Sequence, residues 1–368
     1  MTRRRRDELG GATEAMRTAG NPCLGRRGER NKPLAVRKGR GRYGEVGAVA
    51  LLVTGATGHV GREVVRQAIA AGADVVAQYR TSPGRRDAMA GGGGIAWAQC
   101  DLAEPDAVLA LCESHTIDSC IHSAAISNEK IARPQPLPTV RANVGGTSIL
   151  LDIARRQNWK RFLFVSTGSV FQGASDATKP ILEDATPSVT NIYSTTKYCG
   201  ELLTQMYRSQ FGLSAAVVRI SWVYGPPLVT DEEPRGPVPA FLKATLAGKP
   251  IRLPSGGDFA ASFTYVGDVA AGLIAAWRAP VLNHGVYHLG SGENYTARRV
   301  AAAVRAAVPG AEIRLGAGTE PWTLHTRMRG PLAGTRLSDD AGFAVRRSLE
   351  DGVREFAGWM REHPETYR

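Results

Sequence analysis

A tyrosine and a lysine four residues apart are the side chains of this sequence best suited to acid–base chemistry. They belong to the run Tyr193-Ser194-Thr195-Thr196-Lys197, and this spacing places the phenol and the ammonium on one face of a helix. A neighbouring cation favours the phenolate and lowers the pKa of the tyrosine, which makes the phenol a usable general acid or base. The pair could instead be an ordinary surface pair, so its function depends on what surrounds it.

Three hydroxyl side chains follow an apolar segment upstream of this pair. They are Ser166, Thr167 and Ser169. In a parallel sheet, ligands bind beyond the carboxyl ends of the strands. A hydroxyl at this strand end could therefore hydrogen-bond a substrate oxygen and help the tyrosine to polarise it. The alternative is that these hydroxyls only cap the end of the strand.

Glycines spaced Gly-x-x-Gly-x-x-Gly follow the first apolar segment. Gly55 allows a sharp turn, Gly58 lets the backbone approach a diphosphate, and Gly61 lets the next helix pack against the strand. The helix N-terminus offers unpaired N–H groups and the positive end of the helix dipole, and both favour an anion. Because the chain has 42 glycines, the pattern alone could also be an ordinary strand-to-helix turn.

The elements that must position these residues alternate between short apolar strands and amphipathic helices. After the strand at Leu51 to Thr54, the predicted strands are 74–79, 95–100, 117–121, 161–166 and 215–220, and the predicted helices are 63–71, 105–114, 137–157 and 193–211. This alternation predicts right-handed βαβ crossovers and an α/β fold, a doubly wound parallel sheet of the Rossmann type covered on both faces.

The sequence changes in character after residue 222, where prolines become frequent and helices shorten. Predicted elements there are helices 241–246, 269–277, 297–307 and 349–361 and strands 286–289 and 312–315. We predict three parts: a disordered basic tail over 1–45, a dinucleotide-binding core over 46–222, and a smaller substrate-binding lobe over 223–368 that is interleaved with the last strands of the sheet.

The basic character of the chain lies mainly in the tail. The net charge is +12, yet residues 1–46 alone hold thirteen Lys or Arg against five Asp or Glu. Such a tail could be a nucleic-acid or anionic-surface arm, or a transit peptide. Its composition favours translation from an upstream start instead, with the working enzyme beginning near Val46. We therefore expect a dispensable tail and no nucleic-acid partner beyond non-specific binding by it.

The remaining composition points to a cytoplasmic protein. The five cysteines form no C-x-x-C pair and no cluster with metal-ligand spacing, which predicts reduced thiols and no metal. No run of about 18 apolar residues predicts a transmembrane helix. A homodimer is compatible with the sequence, which does not fix the oligomeric state.

Several ordered motifs together resemble the extended short-chain dehydrogenases/reductases of the NAD-dependent epimerase/dehydratase type. Besides the glycine motif, the hydroxyl run and Tyr-x-x-x-Lys, they are Asp101-Leu102, His122-Ser123-Ala124-Ala125, Asn143-Val144-x-Gly146-Thr147, Arg219 with Tyr224-Gly225-Pro226, and Phe263-Thr264-Tyr265-Val266-x-Asp268-Val269. The resemblance covers residues 46 to about 360. It implies a nicotinamide dinucleotide, NAD(P), as cofactor and a small sugar-like substrate.

The resemblance also implies roles for individual residues. Thr167 is similar to the catalytic hydroxyl residue, Tyr193 to the acid/base and Lys197 to the ribose-binding lysine. The implied cofactor contacts are Gly55, Thr57, Gly58, His59, Val60 and Gly61 in the glycine loop, Asp101 and Leu102 at the adenine, Ala124 and Ala125 beside strand 4, and Asn143, Tyr193 and Lys197. His122 is either part of this site or a packing residue at the strand end.

The reaction type is left partly open. Relatives that dehydrate nucleotide sugars usually carry Asp-Glu directly after the catalytic hydroxyl residue, and here Gly168 and Ser169 stand in those places. A dehydratase is therefore disfavoured, while a sugar or nucleotide-sugar epimerase and a 4-keto reductase both remain. An NADPH-dependent reductase of a non-nucleotide keto compound is an alternative. A protein that only binds the cofactor would have lost Thr167, Tyr193 or Lys197, and all three are present.

One departure from the family pattern concerns substrate binding. Many nucleotide-sugar members place Arg-Asp before Phe-x-x-Val, with the arginine on the substrate diphosphate, but here Ala261 and Ser262 precede Phe263. A diphosphate would need another cation. The candidates are Arg235, Lys243, Arg252, Arg327, Arg329 and Arg336.

The end of the second strand bears on the choice between NAD and NADP. An acidic residue there binds the adenosine ribose and repels a 2′-phosphate, whereas an arginine accepts that phosphate. Here Tyr79 stands at the acidic position and Arg80 follows, with Arg62, Arg85 and Arg86 nearby in sequence. This arrangement favours NADP. If the arginines only coat a solvated loop, the enzyme uses NAD.

Overall fold

The computed structural model describes residues 49–81, 94–173, 176–227 and 236–366. The predicted disordered tail and the side chains of Arg85, Arg86 and Arg235 lie outside these ranges. The expectations that concern them therefore stay predictions.

The described residues form one large parallel sheet and three two-stranded ones. The strands are β1 Ala50–Thr54, β2 Val75–Tyr79, β3 Ile95–Gln99, β4 Ile117–His122, β5 Arg161–Thr167, β6 Ala215–Ile220, β7 Val223–Tyr224, β8 Ile251–Leu253, β9 Ala260–Ala261, β10 Thr264–Tyr265, β11 Val286–Leu289, β12 Tyr295–Thr296 and β13 Ile313–Leu315. The seven-stranded sheet has the order β11-β6-β5-β4-β1-β2-β3, and all of its pairs are parallel. The strand order reverses between β1 and β4, which is where a doubly wound sheet opens its ligand crevice.

Helices cover both faces of this sheet. The α-helices of the described residues are α1 His59–Ala70, α2 Pro105–Glu113, α3 Glu129–Ala132, α4 Pro136–Val140, α5 Gly146–Arg156, α6 Ile192–Phe211, α7 Pro237–Leu246, α8 Val266–Arg278, α9 Ala297–Ala307, α10 Arg336–Ala341 and α11 Leu349–Glu362. Residues from α1 and α8 share one apolar core with one face of the sheet, and residues from α2 and α5 share a second core with the other face. The predicted Rossmann-type fold is confirmed.

The long helix predicted over 137–157 was wrong in one respect. It begins at Pro136 and is interrupted by a π-helical segment over Arg141–Gly145. A π turn takes up one extra residue, a feature that sequence periodicity does not signal. Here it contains Asn143, whose side chain is buried.

The chain beyond residue 222 is divided between the main sheet and a separate core. β11 pairs with β6 in the large sheet, while α7, α9 and α11 pack with the short strands around a third apolar cluster. The boundary between the two predicted domains stays a prediction. Within the described ranges, no helix combines the length and the apolar character needed to cross a membrane.

Candidate functional site

The glycine loop between β1 and α1 is held in a conformation that only small residues allow. Gly55 has φ +65°, and a Cβ added there would lie 2.8 Å from Ala124 Cα. A Cβ at Gly61 would lie 2.2 Å from the Gly55 carbonyl oxygen. The loop thus packs against the end of β4 on one side and against its own helix on the other.

The beginning of α1 fits the diphosphate of a dinucleotide. The first N–H groups of an α-helix have no intrahelical acceptors. Here the N-cap is Gly58, which has no side chain to accept from them, so they remain available to an anion. Thr57 and Val60 are half-buried near Gly58. The His59 imidazole donates instead to the Gly225 carbonyl at 2.8 Å, which ties the loop to the end of β7.

The side chain of Gln78 holds the glycine loop by a hydrogen bond, a role that sequence analysis missed. Its side-chain oxygen accepts from the Gly55 N–H at 2.9 Å, and its amide donates to the Cys100 carbonyl at 2.5 Å. A buried glutamine in an apolar strand is the signal that could have revealed this contact, because a buried amide needs partners.

A chain of hydrogen bonds connects the ends of β1 and β4 through His122. The Ala124 N–H donates to Thr54 Oγ1 at 3.1 Å, and Thr54 lies 2.7 Å from His122 Nδ1. His122 Nε2 lies 2.9 Å from Thr147 Oγ1, which itself donates to the Asn143 carbonyl at 2.6 Å. This order of donors fixes a neutral imidazole with its proton on Nε2. His122 is therefore a buried residue that links the end of β1 to α5 through Thr54 and Thr147.

We expect His122 to make the protein less stable in mild acid. Burial lowers the pKa of His122 to about 3, and Lys197 adds to this. Because the imidazole charges only after unfolding, stability should fall as the pH drops below the unfolded pKa of about 6.5, by about 2 kcal/mol between pH 7 and pH 5. Urea unfolding of the parent and of His122→Gln at both pH values should show a smaller loss in the variant.

An independent measurement uses the intact parent protein. The His122 C–H resonance in its NMR spectrum should keep its neutral position down to about pH 5. A titration midpoint above pH 6 would contradict this account. The buried His288, whose pKa is also lowered by burial, is common to both proteins and cancels in the comparison of stabilities.

Asn143 joins the β4 end to the helix that carries the tyrosine. Its side chain accepts from the Ile126 N–H at 2.8 Å and donates to Thr196 Oγ1 at 3.0 Å. Thr196 lies on α6 between Tyr193 and Lys197. Asn143 thus bridges the segment after β4 and α6, while its implied contact with the cofactor stays a prediction.

The residues implied for the adenine and ribose lie at neighbouring strand ends. Asp101 Oδ1 accepts from the Ala103 N–H at 3.0 Å, and the Leu102 side chain is buried. Tyr79 is also buried, with its ring edge against Trp97. Arg80 is exposed beyond the end of β2. Ala125 is half-buried beyond β4, on the carboxyl side of the sheet where a ligand crevice opens.

The three candidate hydroxyls after β5 have different surroundings. Ser166 Oγ donates to Glu201 Oε1 at 2.5 Å within the core, so Ser166 was wrongly included among the candidates that face the crevice. Thr167 Oγ1 accepts from the Ser169 N–H at 3.1 Å and caps the following 3₁₀ turn. The capping alternative therefore also applies to Thr167, whose hydroxyl hydrogen can still be donated elsewhere.

α6 places Tyr193 and Lys197 in its first two turns. Asn191 begins the helix with a capping box, accepting from the Ser194 N–H and donating its own N–H to the Ser194 hydroxyl. The helix lies against β5, because a Cβ at Gly200 would come within 2.4 Å of the Phe164 ring. The Asn191 side chain also donates to Gln172 at 2.8 Å, which links the helix to the turn after Thr167.

Lys197 is buried beside the tyrosine. Its Nζ lies 4.0 Å from the centroid of the Phe164 ring, and 3% of the residue is exposed. Burial lowers the pKa of Lys197 to about 7, although the carboxylate of Glu201 opposes the shift. A buried lysine whose pKa is lowered to near neutral pH is typical of a functional site.

The structure separates the six cations proposed to replace the missing arginine at position 261. Arg252 and Arg327 are exposed, and Arg336 pairs with Asp184. Lys243 is half-buried on α7, and Arg235 lies outside the described residues. Arg329 is buried and borders the same narrow gap as Ala261.

Comparison with known proteins assigns the chain to a family. Residues 51–290 match the model of the NAD dependent epimerase/dehydratase family. The chain is 32% identical over 196 residues to a UDP-glucuronate 4-epimerase of Thermodesulfobacterium geofontis, an alignment over 53% of this chain and 58% of that relative. It is 28% identical to a dTDP-glucose 4,6-dehydratase of Streptomyces griseus, over 85% and 94% of the two chains.

A solved structure gives the same result for the fold. The UDP-glucose 4-epimerase of Thermus thermophilus in complex with NAD superimposes with a TM-score of 0.73 at 24% identity, over 85% of this chain and 99% of the other. The sequence match and the shared sheet extend over more than half of the chain. The protein therefore belongs to the NAD-dependent epimerase/dehydratase family, within the extended short-chain dehydrogenases/reductases.

Proposed function

We propose that the protein transfers hydride between a nicotinamide dinucleotide and a hydroxyl- or keto-bearing carbon of a sugar or nucleotide sugar, with Thr167, Tyr193 and Lys197 as catalytic residues. The observation that carries this proposal is the start of α6. A capping box fixes the first turns of this helix, and these turns hold Tyr193 and the buried Lys197, four residues apart, on one face. The glycine loop supports it, because α1 offers an uncapped N-terminus for the diphosphate.

In this proposal Tyr193 moves the proton while the bound cofactor supplies hydride chemistry. As a phenolate, Tyr193 takes the proton of the substrate hydroxyl, and as a phenol it returns the proton in the reverse direction. The Lys197 ammonium would stabilise the phenolate and would hold the ribose of the cofactor. Thr167 donates its hydroxyl hydrogen to the same substrate oxygen, which its capping bond from Ser169 leaves possible.

The relatives support hydride chemistry on nucleotide sugars but divide over the outcome. One is a 4-epimerase and another is a 4,6-dehydratase. Gly168 supplies no acid at the position where dehydratases usually hold one, which favours epimerisation or reduction. The replacement of the diphosphate arginine by Ala261 keeps a non-nucleotide keto compound as a second candidate substrate.

A panel of nucleotide sugars and free sugars tests the proposal. UDP-glucose, UDP-glucuronate, dTDP-glucose and the free sugars are incubated with enzyme and cofactor, and products are identified by NMR. An epimer formed without net change in nicotinamide absorbance indicates an epimerase, whereas stoichiometric consumption of reduced cofactor by keto substrates indicates a reductase. Binding of cofactor without turnover of any member would support the cofactor-binding protein instead.

The choice of cofactor can be tested at Arg80. The Thermus thermophilus relative binds NAD, whereas the exposed Arg80 next to the non-acidic Tyr79 favours NADP in this chain. A guanidinium–phosphate pair is charge-assisted, so we expect NADPH to bind about tenfold more tightly than NADH. Calorimetry on Arg80→Ala should show this preference lost and the NADH affinity unchanged.

The exposed Arg314 on β13 provides a matched control. Arg314→Ala should keep the parent preference. Equal affinities for NADPH and NADH in the parent, or an unchanged preference in Arg80→Ala, would show that Arg80 only coats a solvated loop and that the enzyme uses NAD.

A further inference from the structure

Arg329 carries a buried charge that nothing in the described part of the chain neutralises. The residue is 6% exposed, no carboxylate among the described residues lies within ion-pair distance of it, and Nε has no hydrogen-bond partner. Nη2 donates to Ser221 Oγ at 3.3 Å. Burial lowers the pKa of Arg329 to about 10 while Tyr193 opposes the shift, so the guanidinium stays charged at neutral pH. A buried charge of this kind is costly unless a partner arrives.

This charge lies at the reacting end of the proposed site. A Cβ added to Gly168 would lie 2.9 Å from Arg329 Nε and 3.2 Å from Nη2, so the guanidinium occupies the space over a residue without a side chain. Gly168 directly follows Thr167, and the Tyr193 phenol is close enough to act on Arg329 electrostatically. At the position of Gly168, dehydratases of the family usually hold an acidic residue. In this chain the guanidinium of Arg329 lies there instead.

The segment that carries Arg329 is fixed by contacts on both sides. Thr326 hydrogen-bonds Gln172 in the turn after Thr167, and the Asn294 amide donates to the Arg329 carbonyl at 2.8 Å. Gly330 lies so close to Lys179 that a Cβ would come within 1.8 Å of its carbonyl oxygen. Arg329 is thus held in place before any ligand binds, which reduces the entropy that binding would cost.

Further polar groups border the narrow gap beside the guanidinium, a gap that is too small to admit a water molecule in this structure. The gap is lined by Ala261, Ser262, Asn294 and Met328 in addition to Arg329. Asn294 Oδ1 is buried and, like Arg329 Nε, lacks a hydrogen-bond partner among the described residues. Arg329 Nε is an unpaired cationic donor, Asn294 Oδ1 is an unpaired acceptor, and Ser262 adds a hydroxyl. This set matches a ligand that carries both an anionic group and hydroxyl groups.

We propose that Arg329 binds a carboxylate of the substrate close to the carbon that reacts, so that the enzyme acts on a sugar acid in preference to the corresponding neutral sugar. This inference rests on the proposed function and names its substrate class. A carboxylate can pair with the guanidinium through parallel N–H···O bonds, whereas a hydroxymethyl group would leave the charge uncompensated. The position of Arg329 over Gly168 favours the reacting end over the diphosphate as the place of this contact.

Binding measurements on matched ligands test the inference. With the protein saturated with whichever oxidised cofactor, NAD or NADP, it binds more tightly, calorimetry compares UDP, UDP-glucose and UDP-glucuronate, and also free glucose and glucuronate, in the parent, Arg329→Met and Arg329→Lys. We expect the parent to bind UDP-glucuronate about ten- to hundredfold more tightly than UDP-glucose, the range of a charge-assisted bond. Arg329→Met should bring the two within about twofold while cofactor and UDP affinities are retained, and Arg329→Lys should keep part of the preference.

Arg314→Met, which removes an exposed arginine on β13, should behave as the parent does. Equal binding of the acid and neutral sugars by the parent, or a preference that survives in Arg329→Met, would overturn the inference but leave the proposed function intact. An equal loss of UDP, UDP-glucose and UDP-glucuronate binding in Arg329→Met would also overturn it, because the guanidinium would then serve the diphosphate. Preference for free glucuronate without any UDP-sugar binding would support the inference and contradict the nucleotide-sugar part of the proposed function.

Discussion

Replacing Tyr193 with phenylalanine should lower kcat by about 10²- to 10⁴-fold, the usual contribution of a general acid or base. The ring remains, so the start of α6, its capping box and the burial of Lys197 should not change. Only the proton-transferring hydroxyl is lost. Steady-state kinetics on the best substrate of the panel, with NAD(P) affinity measured in parallel, separate loss of chemistry from loss of binding.

Tyr207 provides the control on the same helix. Its ring contacts Phe211 near the C-terminal end of α6, more than three helical turns from Tyr193. Tyr207→Phe should keep kcat within about twofold because it removes no group of the proposed mechanism. Turnover close to the parent value in Tyr193→Phe would mean that the acid/base lies elsewhere. The assignment of Thr167, Tyr193 and Lys197 would then fail together.

The second large effect is expected at the buried ion pair behind the site. Glu201 is fully buried and binds Arg219 through two oxygens, with an Nη2–Oε2 distance of 2.7 Å, while accepting from Ser166. Arg219 also donates to the Glu183 carbonyl and lies over the Phe171 ring. Glu201→Leu would leave the guanidinium buried and uncompensated, so we expect a loss of about 3–5 kcal/mol in the free energy of unfolding by urea.

Two further variants show whether this loss comes from the unpaired charge. Glu201→Leu combined with Arg219→Met removes both charges and should recover most of the stability, since apolar replacements of buried pairs are often neutral. Asp152→Ala breaks an exposed pair with Arg156 and should cost less than about 1 kcal/mol. If the double variant were as unstable as Glu201→Leu, the loss of stability would come from altered packing of the side chains and not from the unpaired charge of Arg219.

Local patterns were predicted well because neighbouring residues in sequence enforce them. The strand from Leu51 to Thr54, the glycine loop and the helix that begins at Ile192 depend on hydrogen bonds and contacts over a few residues. The ends of several helices were less accurate, and the π turn at Asn143 was missed, since helix periodicity does not report a single inserted residue.

Sequence spacing alone could not assign side chains whose partners lie far along the chain. Ser166 and Thr167 are adjacent and equally plausible as catalytic hydroxyls, yet alternate side chains of a strand point to opposite faces. That alternation turns Ser166 towards Glu201, while Thr167 Oγ1 accepts from the Ser169 N–H in the following turn. The role of His122 likewise depends on distant residues, because Thr54 and Thr147 hydrogen-bond the two nitrogens of its ring.

By itself, the sequence determined the α/β fold class, the dinucleotide loop and the spacing of Tyr193 and Lys197, because each of these depends on local periodicity and on glycine's lack of a Cβ. Among the candidate cations that the structure describes, only the tertiary structure decided that Arg329 lies beside Gly168. Arg329 reaches Gly168 because the last third of the chain folds back over the turn after β5. Contacts of that kind follow from the packing of separate elements against one another, which no short stretch of residues encodes.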